Sequence, residues 1–222
     1  MRVVIVGSGT GVGKTHVAQA LAHELRRTGV RCAALKPVES GGREDAVALG
    51  QASAFHVKPS PLYPLARPVS PHLAARFQGD EISIPRIVEW VNRVSQGVEV
   101  TLVETAGGLL SPLSARTTNA DLVAELLPAE VLVVAPDRLG VLHDVTALHL
   151  AWRALKLPPP TTVLSCPPEP DPSTGTNAAE LELLGIVRVA AVFPPGQPDD
   201  QPSATVASEV LRLLRGGSPA QV

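Results

Sequence analysis

Aromatic residues are almost missing: three Phe, two Trp and one Tyr occur among 222 residues. So few rings leave little material for the stacking platforms that grip single-stranded nucleic acid. Cysteine is as scarce. Cys32 and Cys166 cannot build a disulfide framework, and both sit in or beside apolar runs, as reduced core or near-core residues do. Charge of one sign is lacking too. A net charge of −2 gives no electrostatic footprint for nucleic acid or an anionic membrane. No apolar run reaches the length of a membrane span. The first residues enter a strand-like run directly, without the basic region and long apolar stretch of a signal peptide. The expectation is a cytoplasmic protein that engages neither nucleic acid nor membrane.

What is present allows a packed core: 45% of the residues are hydrophobic and 18% charged. The length suits one sizeable α/β domain, expected over residues 1–216, with a frayed tail at 217–222. Short apolar runs recur along the chain: "RVVIV", "RCAALK", "EVTLVE", "AEVLVVAP", "TTVLSC" and "VRVAAVF". Each is bounded by turn residues, as strands buried on both faces are. Segments of helical period lie between them. "KTHVAQALAHELRRTG" places Val17, Ala20, Leu21 and Leu25 on one face, and Gly29 follows as a stop. "IPRIVEWVNRVSQG", "NADLVAELLP", "VLHDVTALHLAWRALKLP" and "ATVASEVLRLLRGG" read the same way. In "TTNADLV", Thr117 or Thr118 would cap a helix containing Asn119 and Asp121. Strand alternating with helix implies a doubly wound α/β fold, a mostly parallel sheet with helices on both faces. Residues 41–80 hold one helical piece near Ala46–Ala52 and then a Pro-rich excursion. It is too long for a plain connection and is expected to be functional.

The stretch "VVIVGSGTGVGKTHV" carries the chemistry. A strand, a glycine-rich turn, Lys-Thr and a helix follow one another, as in a phosphate-binding loop of the P-loop NTPase type. The spacing is unusual. Gly-x4-Gly-Lys-Thr would need Gly at position 8, which is Ser8; Gly7 and Gly13 have five residues between them. A dinucleotide fingerprint fares worse. From Gly7 it needs Gly at Val12, and Lys36 stands where its acidic residue belongs. The loop therefore points to a nucleoside triphosphate, with backbone N–H groups of Gly11, Val12, Gly13, Lys14, Thr15 and His16 around the phosphates. Lys14 can reach the β- and γ-phosphates, and the Thr15 hydroxyl can ligate Mg²⁺. The His16 side chain reads as solvated.

Four further stretches follow in order: "LKPVESGG" with Lys36 and Ser40, "EDAVAL" with Asp45, "SPH" with His72, and "LVETAGGLLSPLS" with Glu104. Together with the loop, the set resembles the dethiobiotin synthetase family, whose members read G-T-x-T-x-V-G-K-T, K-P-V-x-S-G, S-P-H and V-E-G-A-G-G. Partitioning and septum-site ATPases carry a lysine early in the loop, and here that place is Gly9. The resemblance runs from Val3 to about His149. It implies ATP-dependent carboxylation of 7,8-diaminononanoate with CO₂ and ring closure to dethiobiotin in biotin biosynthesis, with ATP as substrate, Mg²⁺ as cofactor and a homodimer sharing its substrate site. It implies catalytic roles for Lys36, Lys14 and Thr10, and a Mg²⁺ site at Thr15, Asp45 and Glu104. Thr105, Ala106, Gly107, Ser165, Phe193 and Pro194 would line the nucleotide. Ser40 would hold the substrate head, and backbone N–H groups at Gly140, Val141 and Leu142 its carboxylate. Thr105 and Ser165 depart from the family's usual Gly and Asn, which leaves adenine selectivity open. By themselves, Lys36 is also readable as a rim lysine, Asp45 as a helix N-terminal charge, and His72 as a packing residue. A regulatory or partitioning ATPase of the same fold and a small P-loop metabolite kinase are the alternatives.

Overall fold

Six apolar runs become the six strands of one sheet. The computed structural model describes residues 1–55 and 60–216. Residues 56–59 of the 41–80 stretch, and the tail at 217–222, lie outside the described residues. In chain order the elements are β1 Arg2–Gly7, α1 Lys14–Arg27, β2 Cys32–Leu35, β3 Val38–Ser40, α2 Glu44–Ala52, β4 Tyr63–Leu65, α3 Pro71–Phe77 and α4 Ile84–Val94. There follow β5 Val100–Gly108, α5 Asn119–Glu125, β6 Glu130–Pro136, α6 Val141–Ala154, β7 Thr161–Ser165, α7 Asn177–Leu183, β8 Val189–Phe193 and α8 Gln201–Arg215.

The six-stranded sheet has the order β2-β5-β1-β6-β7-β8, and every pairing in it is parallel. Alternation along β1 shows why its residues are apolar without a break. Val3 and Ile5 pack with α1, α2 and α8 on one face. Val4 and Val6 pack with α4, α5 and α6 on the other. Both faces being covered, no position is left for a polar residue. The chain runs from β1 out towards β2 and β5, then crosses β1 to continue through β6, β7 and β8. That reversal places a crevice at the carboxyl ends of β1, β5 and β6, where doubly wound sheets bind ligands.

Several elements go beyond the sequence expectations. Strand β5 continues past Glu104 to Gly108 instead of ending there. Thr118, not Thr117, caps α5, in a reciprocal arrangement in which the Asp121 carboxylate accepts from the Thr118 N–H at 2.7 Å. Helix α7, helix α3 and the parallel ribbon of β3 and β4 were not legible as elements. The 41–80 stretch is anchored to the core: Tyr63, Leu65, Ala74 and Ala75 are buried with Ile84 and Ile87 of α4. The Tyr63 hydroxyl accepts from Ser83 N at 3.1 Å. Cys32 is buried and Cys166 half-buried, both as free thiols.

Candidate active site

The unusual spacing of the loop has a steric reason at each end. A β-carbon on Gly7 would lie 2.6 Å from the Gly9 carbonyl oxygen and 2.8 Å from Lys14 Nζ, because the loop folds back over the end of β1. Gly13 has φ +91°, and a β-carbon there would collide with the Ser165 hydroxyl at the end of β7. Glycine is thus required at positions 7 and 13, with five residues bridging them. The Ser8 N–H is tied to the Val134 carbonyl at 2.9 Å. In this arrangement Lys14 Nζ donates to the Gly9 carbonyl at 2.9 Å across the mouth of the loop.

Next to the loop lies a buried charge cluster. Lys36, one residue past β2, donates to Glu104 Oε1 at 2.8 Å and to Asp45 Oδ2. The Thr15 hydroxyl also donates to Glu104 Oε1, at 3.0 Å. Glu104 Oε2 is buried with no partner among the described residues. Burial raises the Glu104 carboxyl, and the Lys36 ammonium offsets only part of that. Burial pulls Lys36 down, but Glu104 and Asp45 outweigh it and hold the amine above its ordinary value. Lys14 goes the other way: burial lowers it, and Glu104 does not compensate. Lys36 is therefore held as a cation, and Lys14 lacks a full counter-charge. An orphaned buried carboxylate oxygen, a second carboxylate and a hydroxyl form a hard-oxygen set, and these residues fit a small divalent cation. Among the described residues no group of three or more His, Cys, Asp or Glu could hold a metal alone. Phosphate oxygens and water would have to complete the shell.

A cleft of about 500 Å³ joins the loop to this cluster. Thr10, Gly11, Val12, Gly13, Lys14, Thr15 and His16 form its floor, and Lys36, Asp45, Glu104 and Gly107 one side. Its far wall is Arg138, Ser165, Cys166 and the proline pairs Pro167–Pro168 and Pro194–Pro195. A second cleft of about 500 Å³ begins at Thr10, which lines both, and runs past Ser111 to His143 and Asp144 on α6.

Not every expected residue reaches these clefts with its side chain. The Thr105 hydroxyl is buried and donates to the Ile5 carbonyl at 3.2 Å, tying β5 to β1. Ala106 packs in the core. Phe193 is fully buried, and His16 meets it edge-on at 6.5 Å. His16 is not the solvated residue expected: it is half-buried and its Nε2 is enclosed without a partner, because α1 starts beneath the Pro194 wall. Ser40 Oγ is buried and unpaired. The His72 ring lies 3.0 Å from Ser70 Oγ, and the backbone N–H of His72 donates to the Pro112 carbonyl at 3.3 Å, tying the start of α3 to the loop after β5. Gly140 caps α6 with φ +96°. The Val141 N–H is committed to the Arg138 carbonyl at 3.1 Å, whereas the Gly140 and Leu142 N–H groups have no backbone partner among the described residues.

Three residues that shape the site were not read as site residues from the sequence, where Asn119 was expected only at a helix start. Asn119 Nδ2 donates to the Ala106 and Gly108 carbonyls at 2.7 and 2.8 Å, fixing the end of β5. Asp137 is fully buried and accepts from Gly175 N at 2.9 Å and Asn177 Nδ2 at 2.8 Å, which pins the loop behind the proline wall. Glu39 accepts from Asp45 N and Ala46 N, each at 2.9 Å.

The chain matches an AAA domain family model over residues 1–203. It is 39% identical over 216 residues to the ATP-dependent dethiobiotin synthetase BioD of Anaeromyxobacter dehalogenans strain 2CP-C, covering 93% of this chain and 95% of that one. The chain belongs to the ATP-dependent dethiobiotin synthetase family. It is an ATP-dependent ligase of biotin biosynthesis. The synthetase of Mycobacterium avium strain 104 is 35% identical, covering 87% of each chain. Solved structures reach further in fold than in sequence. The MinC:MinD cell division complex of Aquifex aeolicus superposes with a TM-score of 0.60 at 12% identity, over 100% of this chain and 98% of that one. A ParA family ATPase from Chlorobium tepidum gives 0.57 at 14%, over 97% and 92%. This chain thus shares its parallel-sheet scaffold with MinD and with a ParA family ATPase, and the likeness at this identity concerns the scaffold alone.

Proposed function

We propose that this chain closes the ureido ring of dethiobiotin from 7,8-diaminononanoate, CO₂ and ATP. One amine adds to CO₂ and loses a proton, giving a carbamate. A carbamate oxygen attacks the γ-phosphorus, the bond to ADP breaks, and a carbamic-phosphoric anhydride results. The second amine attacks the carbamoyl carbon, inorganic phosphate leaves with the bonding pair, and the released proton passes to solvent. The observation that carries this reading is Lys36, a buried cation 2.8 Å from Glu104 beside the phosphate loop. A switch ATPase has no need of a second cation there; an anionic carbamate and its anhydride do. Lys36 holds those oxygens, Lys14 and the loop N–H groups hold the phosphates, and Thr10 stands at the junction of the two clefts where phosphoryl donor and acceptor meet. Positioning and charge cancellation are most of what such a phosphoryl transfer asks of a protein.

Thr15, Asp45 and Glu104 would hold Mg²⁺, which would supply positive charge to the phosphate oxygens. Ser40, whose buried hydroxyl lacks a partner, takes a polar group of the diamine head. The acid end of the substrate needs an anion site some distance from Lys36. The start of α6 supplies one through the Gly140 and Leu142 N–H groups and the helix dipole. Leu139 and Leu150 are exposed at the start and along the length of that helix, at 77% and 60%. Such exposure supports a homodimer in which α6 of one subunit completes the site of the other. Incubation with Mg-ATP, bicarbonate and diaminononanoate tests the reaction. Phosphate release should require all three, and steady hydrolysis without diamine would sink the ligase.

A further inference from the structure

We infer that Glu39 is a positioning residue that sets the metal-facing geometry of Asp45. Between Ser40 and α2 the chain passes through Gly41, Gly42 and Arg43. Gly41 sits at φ +89°, held by its N–H on the Leu65 carbonyl at 2.8 Å. The residue preceding α2, Arg43, makes no side-chain cap. A helix start without a cap leaves its first N–H groups unsatisfied and its angle loosely defined. Glu39, on β3, fills that role from outside the helix. It is 5% exposed, and its two oxygens take the N–H groups of Asp45 and Ala46, each at 2.9 Å. No ion pair to Glu39 occurs among the described residues. The carboxylate is therefore balanced by the helix N-terminus alone.

The consequence is geometric. Asp45 receives the first of these bonds on its backbone and extends its carboxylate to Lys36. A bidentate cap fixes both position and rotation of the first turn, and with them the direction of that carboxylate towards Thr15 and Glu104. Ser40, the next residue along β3, is fixed by the same strand. Glu39 thus touches no reactant and acts through Asp45.

This inference rests on the metal role assigned to Asp45, and the test separates the two. Mn²⁺ serves as probe, its binding to the intact protein with a non-hydrolysable ATP analogue followed by electron paramagnetic resonance. Asp45→Asn reads the metal assignment. Glu39→Ala should weaken Mn²⁺ by about tenfold, the usual size for a lost supporting contact. Glu39→Gln, keeping shape and one acceptor, should lie between it and the native protein. In the Asp45→Asn background the Glu39→Ala effect should vanish, since both act through one carboxylate. Nucleotide affinity without metal should stay within about twofold. Unchanged Mn²⁺ binding in Asp45→Asn would sink the metal assignment and this inference with it. A loss there, with no change in either Glu39 variant, or with an undiminished Glu39→Ala effect in the double variant, would overturn the positioning role alone. If Glu39→Ala does not fold, Glu39→Gln and its double variant carry the same comparison.

Discussion

Lys14 and Lys36 are buried cations of one cleft, yet their surroundings differ, and so should their variants. Lys14 faces a backbone carbonyl and is held below its ordinary value by burial; phosphate is its missing counter-charge. Lys14→Ala should weaken ATP binding along with turnover, measured by displacement of a fluorescent nucleotide. Lys36 is already paired with Asp45 and Glu104. Lys36→Ala should leave nucleotide binding nearly intact while turnover falls about a hundred- to thousandfold, roughly 3–4 kcal/mol of lost transition-state stabilisation. Full activity in Lys36→Ala would remove the main support for the ring-closing reaction. Ser165 makes a different case. Its hydroxyl leans on Gly13; beyond it the Cys166 N–H is committed to the Phe193 carbonyl and four prolines of the wall have no N–H to offer a base. GTP and CTP should therefore support turnover within about a hundredfold of ATP, on the scale of a single bidentate base contact. A preference far beyond that in parallel assays would show that backbone groups read adenine. Lys36, Asp45 and Glu104 were nameable from motif order because each carries charge at a motif position. Glu39 and Asp137 were not, and Asn119 was named only at a helix start, because their partners are backbone or amide groups, and such bonds leave no fixed spacing in the sequence.

Among the elements, the long and periodic ones were legible and several of the short ones were not. β1, β5 and β6 are continuous apolar runs because both faces of the sheet are covered. α1 could be read from its face of Val17, Ala20, Leu21 and Leu25, all fully buried. α3 and α7 have seven residues each, few for a period to establish itself; α5 is as short and was legible with the start signal of Thr117 and Thr118 before it. β3 and β4 have three each, and β4 contains Pro64, a residue that strands disfavour. Such pieces exist through tertiary contacts, which a local pattern does not record. Ends are decided by single bonds instead. The Thr118–Asp121 box starts α5, the helix whose Asn119 holds the end of β5. Thr118→Ala should cost about 1 kcal/mol, visible as a lower urea midpoint with unchanged slope. An unchanged midpoint would mean that Asn119 alone fixes the helix start. Gly13→Ala attacks another junction, between the loop and β7. A β-carbon at positive φ meeting Ser165 should abolish nucleotide binding, and Ser165→Gly should restore part of it by relieving the collision. Failure of that rescue would leave backbone strain as the whole effect.

The whole molecule has a pH response of its own. His149, buried against Thr162 at 3.0 Å, is held below its ordinary value by burial and then by Arg153. The unfolded chain therefore takes up a proton near pH 6.5 that the folded chain resists, and stability falls as pH drops through that range. Urea unfolding should show this decline between about pH 7.5 and 6, and His149→Gln should reduce it; an identical decline in the variant would assign the effect elsewhere. Assembly is tested by mixing. Lys36→Ala subunits and Leu142→Pro subunits, each inactive, should regain activity as mixed dimers, since one of the two sites then has both halves intact. No recovery from verified mixed dimers would confine the site to one chain. Finally, β1 has β5 and β6 on its flanks and helices over both faces. Its amides should exchange with deuterium only when the entire domain opens, while β2 and β8, at the two edges, exchange through local fraying. The phosphate loop is thus tethered to the strand expected to exchange most slowly. Nucleotide binding should slow exchange across Gly9–Thr15 and at the edge strand β8, and leave β1 changed only by as much as global stability rises.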